Sequence, residues 1–103
     1  SLGLVGSEMC IRDRYINCLN GVVATANNLQ MAISLLERMI DAQRRGYSVD
    51  DVSGGSNYLS HLLEKERKIY SNIVNTVIPG TKSIIRNLDY QIADAEAREA
   101  MES

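Results

Sequence analysis

The chain has no tryptophan or phenylalanine, one proline, one histidine and two cysteines in 103 residues. Each scarcity excludes something. Catalysis needs a nucleophile, a base or a set of metal ligands held at a defined spacing. His61, Cys10 and Cys18 have no such partners in the sequence, so no catalytic residue, metal site or cofactor is expected and the protein is read as non-enzymatic. No apolar run approaches the roughly 20 residues needed to cross a bilayer, so no membrane span is expected. Eleven basic and thirteen acidic residues leave a formal charge of −2, with the basic residues dispersed. That distribution lacks the electrostatic footprint of nucleic-acid binding.

What is present is helical period. Tyr15, Leu19, Val22, Ala26, Leu29, Ile33, Leu36 and Ile40 recur at alternating spacings of four and three, an unbroken heptad seam. Ile16, Val23, Ala32 and Met39 widen it, which predicts a stripe broad enough for more than one partner helix. Gly46 is the natural stop, because glycine accepts the left-handed conformation that closes a helix, and Arg44 and Arg45 suit its terminal carbonyls. From Gly46 to Ser56 there is no helical period, and the residues are those of turns and caps. A loop of about ten residues is expected, with Ser56 or Asn57 as the next N-cap.

A second helix carries Leu59, Leu62, Leu63, Ile69, Tyr70, Ile73, Val77 and Ile78 on one face, interrupted by Glu66. Pro79-Gly80 then opposes two expectations. Proline costs roughly 3 kcal/mol inside a helix and glycine about 1 more, which favours a break. Against this, the apolar phase runs on from Ile73 and Val77 to Ile84, Leu88 and Ala95, and neither Thr81 nor Ser83 begins a capping box. The fold class is therefore all-α, with helices at about 15–45, 57–78 and 81–101. They form either a three-helix bundle or a long antiparallel hairpin whose second arm is broken or kinked at Pro79-Gly80. Asp94, Arg98 and Glu102 stand at i, i+4 spacing and support the last helix in both cases.

Residues 4–14, LVGSEMCIRDR, resemble the translated read-through of a transposase adapter used in sequencing-library preparation. The resemblance implies that residues 1–14 are non-native, that a single helical domain begins near Tyr15, and that only Cys18 remains as a native cysteine. Cys18 flanks the seam and is expected to behave as a small buried hydrophobe.

Three shorter likenesses concern the rest. Leu35-Leu36-Glu37-Arg38-Met39 resembles part of the first helix of all-α chorismate mutases, which would nominate Arg38, Lys65, Arg67 and Gln91 as anion-binding groups. Val49 to Arg67 resembles the helix-turn-helix of the arabinose-regulator family, which implies that Asn57, Ser60 and His61 face bases or phosphates. Tyr90-Gln-Ile-Ala-Asp94 resembles the Tyr-x-x-x-Asp signal of small type VII-secreted hairpins, a pattern that Tyr47 to Asp51 also fits. The Trp-x-Gly turn of that family is absent, with Ser53-Gly54-Gly55 in its place.

Function is expected to lie in helix–helix association, because eight consecutive heptad positions exceed what a core of this size needs. The nominated surface comprises Leu19, Val22, Leu29, Ile33, Leu36, Ile40, Ile73, Val77, Ile84 and Leu88, facing a protein partner or a second copy. No small-molecule ligand is evident, and cytoplasmic and secreted locations both stay open.

Overall fold

A computed structural model describes residues 3–46 and 55–102, and these residues are almost wholly helical. Helix α1 (Gly3–Arg44) forms one arm. The second arm consists of α2 (Gly55–Asn72), a π-helical turn (Ile73–Val77) and α3 (Ile78–Glu102), which follow one another without a gap. Both α2 and α3 pack on α1, so the molecule is a long antiparallel hairpin. Its extents are 75 × 19 × 16 Å and its radius of gyration is 22.0 Å, where a compact chain of this length would have about 13 Å.

The end of α1 follows local chemistry. Gly46 takes φ +88°, and the Gly46 and Arg45 amides donate to the Gln43 and Asp41 carbonyls at 3.0 and 3.1 Å. These bonds satisfy carbonyls that a helix end otherwise leaves open. The start of α1 lies further upstream than the periodicity from Tyr15 suggests. Val5, Glu8 and Arg12 extend the four–three spacing backward and are half-buried, and Arg12 donates to Asp89 at 3.3 Å. Lengthening an existing helix costs far less than nucleating a new one. The loop, including Asp50, Asp51 and the Tyr47 to Asp51 pattern, lies outside the described residues, and Ser56 and Asn57 already fall within α2 rather than capping it.

Pro79-Gly80 does not reverse the chain. In a regular α-helix the Pro79 ring would press on the Asn75 carbonyl and leave it without a donor. Here the Ile78 amide reaches back five residues to the Ile73 carbonyl. That wider turn accommodates one extra residue, which is how helices commonly absorb such an intrusion. The Thr81 hydroxyl donates to the Val77 carbonyl at 2.8 Å, adding a bond close to the missing amide.

The extra residue also changes the phase. Continuing the heptad from Ile73 leads to Ile84, but Ile85 is the half-buried residue and Ile84 is 41 % exposed. From there the inward positions are Leu88, Ile92 and Ala95, again at heptad spacing. The apolar stripe thus passes through the proline with a one-residue skip.

Two helices side by side cannot enclose a core. Only Ala26, Ile40, Leu59, Leu63 and Ile92 are buried among the described residues, and none of these is completely shielded. Near the loop, Ile40, Leu59 and Leu63 form a cluster against which Ile33, Leu36 and Met39 pack.

Candidate interaction surface

The nominated seam lies between the arms. Ile40 is buried; Leu19, Val22, Leu29, Ile33, Leu36, Ile73, Val77 and Leu88 are half-buried; Ile84 is exposed. Most of the association stripe is therefore occupied by the packing of the hairpin's own two arms, and it opens only at its edges.

At about 100° per residue, each helix of a hairpin has a seam, two flanks and a back. In the loop-proximal half the flanks differ. One carries Glu37, Asp41 and Arg44 from α1 and Ser60, Glu64 and Arg67 from α2, all exposed, around an open polar groove. Arg67 donates to Glu37 across it at 2.8 Å. Both side chains are about half exposed, so water screens the pair and its contribution is small.

The other flank is apolar. Helical phase places Ala32, Leu36 and Met39 of α1 beside Leu62, Ile69 and Tyr58 of α2. The first four of these are half-buried, while Ile69 and Tyr58 are 51 % and 45 % exposed. The apolar surface continues round the back of α1 through Leu35 and Met31, one turn apart and 58 % and 72 % exposed. Within this flank stands Glu66, the polar interruption visible in the sequence. Its Oε2 is shielded from solvent and accepts no hydrogen bond, and Oε1 of Gln43 is in the same condition.

Met31 and Leu35 are not among the nominated partner-binding residues because they stand on the side of α1 away from the seam. Their i, i+4 spacing was the available signal. Cys18 corrects an expectation: it is exposed rather than buried, because no third element covers that side of α1. His61, Asn57 and Ser60 are exposed near the start of α2, and the upstream part of the helix-turn-helix likeness falls largely outside the described residues. The chorismate-mutase likeness gathers no common site. Arg67 is engaged by Glu37 on the charged flank, Arg38 and Lys65 point elsewhere on the surface, and Gln91 lies in the far half of α3. Among the described residues no cluster of three or more His, Cys, Asp or Glu side chains could hold a metal ion, and no helix is long and apolar enough to cross a membrane.

Comparison with protein-family models, with curated proteins and with solved structures finds no match to the chain.

Proposed function

We propose that this protein is a non-enzymatic association module that works by packing its hairpin against further helices, supplied by a protein partner or a second copy. The observation that carries the proposal is uncovered apolar surface. The chain exposes 7626 Å², roughly 1,800 Å² more than a compact monomer of its mass. Large apolar side chains lie along this surface, including Met31, Leu35 and Ile69. Contiguous exposed apolar surface on a folded chain is a mark of interaction sites. Residues 4–14 are left outside the proposal.

The test is hydrodynamic mass together with binding of an apolar dye. Association predicts either a mass above 11.4 kDa or a monomer that binds the dye on its open flank. A monomer that binds no dye overturns the proposal.

A second reading, a secreted hairpin of the type VII kind, draws support from the hairpin form and from Tyr90. That side chain is 76 % exposed near the end of the second arm, four residues before the exposed Asp94. Under this reading Tyr90→Ala abolishes export and leaves helicity unchanged; export that survives the substitution removes it.

A further inference from the structure

We infer that the apolar flank is covered by a second copy of this chain, so that two hairpins form a four-helix bundle about a two-fold axis. The inference rests on the association reading and names its occupant. A two-helix section buries only its central residues, such as Ile40, Leu59 and Leu63, and leaves those beside them partly open. A second hairpin laid on one flank would enclose Leu36, Met39, Leu62 and Ile69. Area agrees. A standard interface takes about 800 Å² from each partner and obligate homodimers take more, within the roughly 1,800 Å² by which this chain exceeds a compact monomer.

Charge argues for a copy rather than an unrelated helix. A two-fold interface must complement itself, each residue i meeting j while j meets i. Glu66 is half-buried at the inner side of this flank and the neighbouring Lys65, on its rim, is exposed, and neither is in an ion pair among the described residues. Placed face to face, two copies give each Glu66 the ammonium of the other's Lys65. On the charged flank, by contrast, Glu37 and Arg67 pair within the single hairpin.

Sedimentation equilibrium of the full chain tests the inference. The expected mass is twice 11.4 kDa. Ile69→Glu is expected to return the chain to monomer with its helicity kept, because Ile69 is half exposed in the single hairpin. Lys65→Glu should weaken the dimer by about tenfold or more, and the exchange Lys65→Glu with Glu66→Lys should restore it. Arg67→Glu, on the charged flank, should leave the mass unchanged.

A monomeric parent chain overturns the inference, as does a dimer indifferent to Ile69→Glu. A monomer that still binds an apolar dye leaves the broader association reading standing with another protein as partner. A monomer that binds none overturns both.

Discussion

The two flanks of the loop-proximal half share one cluster of buried residues and differ in almost everything else. On one side Glu37, Asp41, Arg44, Glu64 and Arg67 stand in solvent with an ion pair across the groove. On the other, Leu36, Met39, Leu62 and Ile69 form an apolar surface holding a carboxylate oxygen that nothing satisfies. A charged edge is soluble on either side, so solubility alone does not account for the asymmetry. The difference is what the proposed association would account for, with the apolar flank as the one that takes the second copy.

The largest expected effect lies beneath both flanks. Leu59 is only 2 % exposed and anchors the cluster with Ile40 and Leu63. Leu59→Ala should destabilise by about 2–3 kcal/mol, the low end for such truncations because half-exposed neighbours can collapse into the space. Its check is the urea midpoint, and a loss well under 1 kcal/mol would mean that the cluster does not hold the arms together.

Next is Ile69→Glu, which separates the flanks outright. It should abolish the dependence of thermal stability on protein concentration, since a dimer gains stability by mass action and a monomer does not. Gly46→Ala concerns the turn that closes α1. A side chain at φ +88° costs about 1–2 kcal/mol, although a Cβ there meets no neighbouring atom, so the loss should be purely conformational. The smallest effect belongs to the charged flank. Arg67→Ala should cost no more than about 1 kcal/mol, and the difference from the parent should shrink as salt is raised. A large, salt-insensitive loss would show that the charged flank, too, is covered.

Much of this architecture was legible in the residues. Alternating spacing from Tyr15 to Ile40 marks a single helix face, and that face does pack on the second arm. Gly46 closes α1 as glycine chemistry implies, and Arg98 pairs with Asp94 at 3.0 Å as their spacing implies. These are local matters, governed by the geometry of one turn. The position of Ile84 was not legible, because periodicity carried through Pro79 assumes an unchanged number of residues per turn. The π-helical turn adds one residue, and Ile85 takes the inward place. The burial of Cys18 was misjudged for a related reason. Flanking a seam means burial only where a third element exists.

The sequence by itself determined that the chain is helical, where its first seam runs and where α1 stops, because propensity, heptad spacing and glycine's left-handed freedom act over a few residues. Only the tertiary structure decided that Pro79-Gly80 continues the arm and that the two flanks are unequal. A break at Pro79 competes with the packing of α1 along the whole second arm, and that packing joins residues far apart in the chain. A proline's local cost is known from its ring, but whether the helix bears that cost depends on what lies beside it.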